Sequence, residues 1–189
     1  SIQQKLSVPE KKEGIKLELT TGFGADKTAT AVISGDADIA FMGPEATIYQ
    51  FNQGNADYLI NFAQLTQRAG NFVVSREKED SFKWEDLKGK KVIGGRPGGM
   101  PEMVFEYVLK KHGMNPQKDI NLVQNIDFAN TSGAFVSGEA DYTVEFEPAA
   151  TLIEEQGAGY VVASVGKESG YVPYTSYSVK KSYLKTHKE

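Results

Sequence analysis

The chain carries one stretch twice. Residues 31–48 read AVISGDADIAFMGPEATI and residues 134–152 read AFVSGEADYTVEFEPAATL. With one residue inserted before the proline, Ala31, Ser34, Gly35, Ala37, Asp38, Pro44, Ala46 and Thr47 align with Ala134, Ser137, Gly138, Ala140, Asp141, Pro148, Ala150 and Thr151. The copies start 103 residues apart. Solenoid repeats recur every ~20–50 residues, so this spacing is that of a lobe. Two lobes, each carrying one copy, are expected.

Each copy has a physical logic. A helix stops at Ser-Gly, where glycine takes a left-handed cap without steric cost. Asp38 or Asp141 then opens a short strand, Ile39 to Met42 or Tyr142 to Glu145. Proline follows in the first turn of the next helix, where its missing N–H does no harm. Ligands of open parallel sheets bind beyond the carboxyl ends of strands. Gly43-Pro44-Glu45 and Glu145-Phe146-Glu147-Pro148 are therefore the turns to watch.

Composition narrows the function. The 189 residues carry a net charge of −4 and no basic block, which argues against nucleic acid as partner. There is no cysteine, so disulfides, cysteine nucleophiles and thiolate metal sites are excluded. The two histidines, His112 and His187, sit in charged helical surroundings and read as surface residues. Transition-metal sites and histidine-assisted nucleophilic catalysis thus lose their usual ligands. No cofactor is expected. No apolar run approaches the ~18 residues needed to span a bilayer.

Strand and helix patterns alternate along the chain, which predicts an α/β fold with mainly parallel sheets. Strands are expected at 15–20, 58–66, 71–75, 91–94, 120–123, 142–145, 160–165 and 174–179. Helices are expected at 25–33, 45–52, 102–111, 130–137, 147–156 and from Ser182. Trp84–Leu87 reads as a short helix that packs the charged link 76–90 onto lobe two, and 166–173 reads as a loop. Lobe one is expected to hold residues 1–75 and 174–189, and lobe two residues 77–170. The chain then crosses twice, near 74–76 and 173–176, and two such crossings make a hinge.

The runs SGDADIAFMGPEAT, DLKGKKVIGGRPGGMPEMVFEYVLKKHGMNP and SGEADYTVEFEPA together resemble the solute-binding proteins of ABC importers. The group most similar is the one serving sulfonates, nitrate and thiamine-pyrimidine precursors. The resemblance covers roughly residues 13–185. It implies a periplasmic-binding-protein fold of type II, with a small molecule held between lobes and delivered to a membrane permease. It further implies an extracytoplasmic location, as a periplasmic protein or a lipoprotein, no enzymatic activity, and a monomer as the working unit. Against the family pattern, the first strand and its ligand-facing loop before Lys16 are missing, and SVKKSYLKTHKE stops as the C-terminal helix begins. The expectation is a chain incomplete at both ends.

The expected ligand-binding residues are Gly43, Pro44, Glu45, Gln67, Arg96, Gly98, Gly99, Met100, Glu145, Glu147 and Tyr174. Free N–H groups at the helix starts after Gly43 and after Gly98-Gly99 attract anions or carbonyl oxygens. Arg96 and, less centrally, Arg68 offer planar forks for a sulfonate or carboxylate. Glu45, Glu145 and Glu147 point instead to an amine or aminopyrimidine, or else stabilise helix starts. The resemblance implies that the second-repeat Glu-Pro faces the ligand. Phe23, Phe146, Tyr171, Tyr174 and Tyr177 are aromatics of the kind that line small-ligand pockets. Two other classes stay open: an enzyme on the same fold, like menaquinone-pathway dehydratases and lyases, and the effector-sensing domain of a regulator.

Overall fold

The structure is a computed structural model that describes residue 14 and residues 16–187. In chain order the elements are α1 (Ala25–Ser34), β1 (Ala40–Met42), α2 (Glu45–Asn52), β2 (Leu59–Thr66) and β3 (Asn71–Ser75). After a 3₁₀ turn at Trp84–Leu87 come β4 (Lys91–Ile93), α3 (Met100–Lys111) and β5 (Asn121–Val123). A 3₁₀ turn at Phe128–Asn130 leads to α4 (Thr131–Val136), β6 (Tyr142–Phe146) and α5 (Ala149–Glu155). The chain closes with β7 (Tyr160–Ser164), α6 (Val165–Ser169), β8 (Thr175–Lys180) and α7 (Lys181–Thr186).

Both repeat copies fold as helix, strand, helix. In the first, Gly35 caps α1 in the left-handed region at φ 92°. In the second, Gly138 follows α4 at φ 99°. The strands are β1 and β6, and Pro44 and Pro148 stand at the caps of α2 and α5.

Two sheets form. One has the order β1-β8-β2 and the other β5-β4-β6-β3-β7. β4 runs parallel to β5 and β6. β8 is antiparallel to both its neighbours, and so is β3. The repeat-type strands of each sheet therefore share a direction, and one reversed strand is inserted among them. The parallel reading of the sequence holds for the strands joined through helices and not for β3 and β8, because a strand that enters from the other sheet arrives from the opposite end.

β3 lies in the five-stranded sheet, although the sequence pattern places Asn71–Ser75 in lobe one. Apolar patterning marks a strand and says nothing of which sheet it joins. The passages between sheets run from Thr66 to Asn71 and from Ser164 to Thr175. They hold one another: the Val172 N–H donates to the Gln67 carbonyl at 2.9 Å and the Tyr174 N–H to Thr66 at 3.1 Å.

Alternation along β3 sorts two cores. Val73 faces a cluster with Phe105, Val108, Leu109, Met100 and Tyr174, on the side covered by α3 and α6. Phe72 and Val74 face Ile93, Phe135, Ala150 and Ile153, on the side covered by α4 and α5. Burying each large side chain contributes roughly 1.5–3 kcal/mol. Trp84 is buried against Phe82, Phe105 and His112, as its place in the charged link predicts. His112 is half-buried rather than a surface residue. It stacks on Trp84 and reaches Glu168 at 3.0 Å.

The three-stranded sheet packs Ala40, Met42 and Leu59 against Ala29, Val32 and Ala46 of α1 and α2. Two expected elements differ. Residues 16–20 form no strand, and Ile15 lies outside the described residues. Alternation supplies faces, but a strand exists only where a neighbour completes its ladder. Residues 166–169, expected as loop, are helical together with Val165, expected as strand, because the Ser164 hydroxyl caps the turn by accepting from the Lys167 N–H at 3.2 Å, with Val165 buried beneath.

Candidate functional site

The turn of the first repeat copy meets the glycine-rich turn of the other sheet. Pro44 ends the loop after β1, and Glu45 opens α2 with only 3% of its surface exposed. Its Oε1 accepts the backbone N–H of Met100, the first residue of α3, at 3.0 Å. Gly43 makes room for this. A Cβ there would lie 2.1 Å from Glu45 Oε2, so the carboxylate folds back over the bare glycine. Burial holds the Glu45 pKa above the usual carboxylate range, against the lowering pull of its own amide and that of Met100.

Tyr174 completes the cluster from the return passage. It is 5% exposed, its ring centroid is 6.2 Å from that of Phe146, and burial together with the Glu45 charge pushes its hydroxyl pKa up. Asn71, 1% exposed, is on the same face of β3 as Val73 and pairs across the ladder with Phe146. Glu45 Oε2, the Tyr174 hydroxyl and both ends of the Asn71 amide are buried without a hydrogen-bond partner in the protein. Buried polar groups of a folded chain are nearly always paired. Four such atoms lie on three residues: Asn71 and Tyr174 at the passages between the sheets, and Glu45 at the turn that meets Met100.

Around this cluster the glycine turn is tied down. The Gly98 N–H donates to Glu102 Oε2 at 3.1 Å, and the Gly99 N–H to the Arg96 carbonyl at 3.2 Å. The Tyr49 hydroxyl donates to the Gly98 carbonyl at 2.9 Å, across the two sheets. Gly98 has φ 74°, a conformation that favours glycine. Glu102, 7% exposed, also accepts from Gln124, and burial raises its pKa.

The structure thus gathers Gly43, Pro44, Glu45, Gly98, Gly99, Met100 and Tyr174, and leaves the other expected residues apart. Arg96 is half-exposed and engaged: its guanidinium donates to Asp26 at 3.2 Å and to the Phe23 carbonyl at 3.4 Å. Arg68 lies over the Tyr171 ring at 4.4 Å and reaches the Gly166 carbonyl. Gln67 is exposed and serves the passage through its carbonyl. Glu147 is exposed and accepts from the amide and hydroxyl of Thr151, capping α5. Glu145 is 2% exposed but lies with Thr143 on the opposite sheet face from Val73, where the Thr143 and Thr131 hydroxyls donate to its two oxygens at 2.7 and 3.1 Å. Burial raises its pKa as well. Phe23 and Tyr171 are each 78% exposed, and Tyr177 packs on Phe41 and Phe62 of the three-stranded sheet.

Residues 11–189 match the family described as NMT1/THI5 like. The chain belongs to the NMT1/THI5-like family. Over 179 residues, 95% of its length, it is 52% identical to YtlA of Bacillus subtilis (strain 168), which is named as a candidate binding protein. The chain spans 54% of the length of that relative. Among solved structures it is similar to the periplasmic aliphatic sulphonate binding protein SsuA from Escherichia coli, with a TM-score of 0.79 and 19% identity over 97% of this chain and 61% of that one. It is also similar to the alkanesulfonate-binding protein SsuA from Xanthomonas axonopodis pv. citri bound to MOPS, with a TM-score of 0.77 and 18% identity over 97% of this chain and 62% of that one. These likenesses establish the α/β fold of periplasmic binding proteins that the sequence predicts.

In this member of the family, two open hollows lie away from the cluster. One, of about 280 Å³, is lined by Ser75, Arg76, Glu79 and Tyr142 among others, whose polar groups already serve the fold. There Glu79 accepts from the Ser75 and Tyr142 hydroxyls, both at 2.6 Å, and Arg76 donates to the Ala140 and Phe135 carbonyls. The other, of about 510 Å³, is a shallow surface beside α4. Among the described residues no group of three or more His, Asp or Glu is placed to hold a metal ion, and no helix is long and apolar enough to cross a membrane.

Asn71 and Tyr49 are the site residues that sequence reasoning misses. The polar residue that precedes the apolar run Phe72–Val74 is a usable signal for Asn71. Tyr49 has none, because only the fold brings α2 beside Gly98.

Proposed function

We propose that the protein is an extracytoplasmic solute-binding protein without catalytic activity, which captures a small polar molecule between two lobes and hands it to the permease of an ABC importer. The lobes are built on the three-stranded and the five-stranded sheet. The passages 67–70 and 165–174 act as the hinge, and the ligand lies among Glu45, Asn71, Met100 and Tyr174. One observation carries this reading. A strand-to-helix turn of one sheet touches a strand-to-helix turn of the other, and Glu45 of that turn, with Asn71 and Tyr174 of the passages, carries buried polar atoms without partners. The family and the named relative support it.

A ligand shifts a conformational equilibrium only by its differential affinity for the two states, and ligand that binds the folded state alone raises stability by mass action. The full-length protein is therefore expected to gain about 2.7 kcal/mol of stability at a hundredfold excess of ligand over Kd. Thermal denaturation against sulfonates, nitrate, aminopyrimidines, amines and amino acids checks this. A melting temperature indifferent to the whole panel would end the proposal.

A further inference from the structure

We infer that Met103 is a modification site for oxidants of the peroxide class: its thioether becomes the sulfoxide ahead of the other methionines, and the new oxygen loosens a joint between the two sheets.

Sulfur chemistry has few places to occur in this chain. There is no cysteine, and the methionines are Met42, Met100, Met103 and Met114. Three of them are buried, none with more than 9% of its surface exposed, whereas Met103 is 42% exposed. The helix dictates the difference. Val104, Phe105, Val108 and Leu109 of α3 turn inward. Met103 falls on the outer face, one turn before the exposed Tyr107. Exposure decides which thioether meets a dissolved oxidant. With hydrogen peroxide the step needs no third partner. A sulfur lone pair attacks one peroxide oxygen, so an S–O bond forms and the O–O bond breaks. The departing hydroxide takes the remaining proton and leaves as water. Sulfur is oxidised by two electrons and the peroxide is reduced by two.

Its neighbour sets Met103 apart from any other surface methionine. Tyr49 belongs to α2, which packs on the three-stranded sheet. Its hydroxyl lies 3.3 Å from the Met103 sulfur and donates to the Gly98 carbonyl at 2.9 Å. A phenol has one proton to give, and a thioether is a weak acceptor, so the Gly98 carbonyl keeps that proton. A sulfoxide oxygen is a stronger acceptor and carries no proton. It either draws the proton away from Gly98 or faces the phenol oxygen lone pair to lone pair. Both outcomes leave an acceptor at the joint without its donor, and the contact between α2 and the glycine turn weakens.

Limited oxidation of the full-length protein by hydrogen peroxide, read by peptide mass spectrometry, tests the site. Met103 is expected to gain oxygen about tenfold or more faster than Met42, Met100 and Met114, whose sulfurs wait on local opening, and the four rates should converge in urea. Hydrogen exchange of the Met100 amide, which bonds Glu45 across the same joint, tests the consequence. Oxidation is expected to speed that exchange about two- to tenfold, and a methionine sulfoxide reductase to reverse the change. Met103→Leu, which has no sulfur at this place, and Tyr49→Phe, which has no proton to lose, should each abolish the effect. Equal oxidation of the four methionines, an exchange rate that oxidation leaves unchanged, or an effect that survives in Tyr49→Phe overturns the inference.

Discussion

At the scale of single residues, Gly43 and Glu145 make the most exposed predictions. A methyl at Gly43 would fall on the Glu45 carboxylate, which is the far end of a flexible side chain. Gly43→Ala should therefore detach Glu45 from Met100 and cost roughly 1–3 kcal/mol, the penalty of a buried amide left unpaired, without changing the fold. The Met100 amide resonance in a ¹⁵N–¹H spectrum should shift; if it stays in place, the carboxylate is held by something else. Glu145 predicts a pH dependence. Its folded pKa is raised by burial, so between its unfolded and folded values the native state binds more protons than the unfolded chain. Stability then falls as pH rises through that window. Glu145→Gln removes this fall while retaining an acceptor for Thr143, so its melting temperature should gain on wild type as pH rises above the range in which a free glutamate titrates. Parallel profiles would show that the carboxyl titrates normally. Sequence alone nominates Tyr174 by its position at a crossing, and the resemblance ranks Glu145 and Glu147 ahead of Glu45. The structure puts Glu45 at the turn that meets Met100 and Glu145 on the opposite sheet face; strand-end carboxylates look alike until the pleat assigns each to a face.

At the scale of elements, two joints are invisible in the chain. Arg76 sits in a charge-rich run that reads as solvated linker, yet its guanidinium donates to the Ala140 carbonyl at 2.8 Å and to the Phe135 carbonyl, and lies 4.6 Å over the Phe135 ring. It thereby ties the end of α4 to the start of β6. Arg76→Met takes the guanidinium from the Ala140 carbonyl, while the Phe135 carbonyl keeps the Gly138 N–H, and a loss of roughly 1–3 kcal/mol is expected in urea denaturation; a loss near zero would mean that water replaces the guanidinium freely. Gly166, in α6, is pressed on the outward passage: a Cβ there would lie 2.0 Å from the Ala69 carbonyl oxygen, which is backbone and cannot swing aside. Gly166→Ala should cost roughly 1–3 kcal/mol through overpacking, measured the same way. The helices and most strands were legible because their apolar spacing is local. Residues 16–20, within the strand expected over 15–20, take no strand because alternation alone does not supply a paired neighbour, and α6 escaped notice because Gly166 and the following Gly170 resemble a loop until the Ser164 cap and the buried Val165 are seen.

At the scale of the whole molecule, duplication is what sequence conveys best: two copies of one unit, placed in two sheets. The assignment of β3 and the site of the crossings depend on pairings between distant segments, which no local pattern encodes. The same pairings set how the proposed lobes move. Contacts that join the two sheets include Glu45 to Met100, Tyr49 to Gly98 and to the Met103 sulfur, Arg96 to the Phe23 carbonyl, and Asp26 to Arg96. The last is a surface ion pair, with side chains 64% and 40% exposed, and such pairs contribute about 0–1 kcal/mol. The Tyr49 bond is also exposed and adds about 0.5–1.5 kcal/mol. Closure without ligand therefore rests on a margin small enough for a bound molecule to govern. Removing both contacts in Asp26→Asn/Tyr49→Phe should move the ligand-free protein toward an open form by about two- to seventyfold in population. Small-angle scattering should record a larger radius of gyration than wild type, and saturating ligand should restore the wild-type value. Superimposable scattering curves with no ligand present would show that the hinge itself, through the bonds of Val172 to Gln67 and Tyr174 to Thr66, holds the two sheets together.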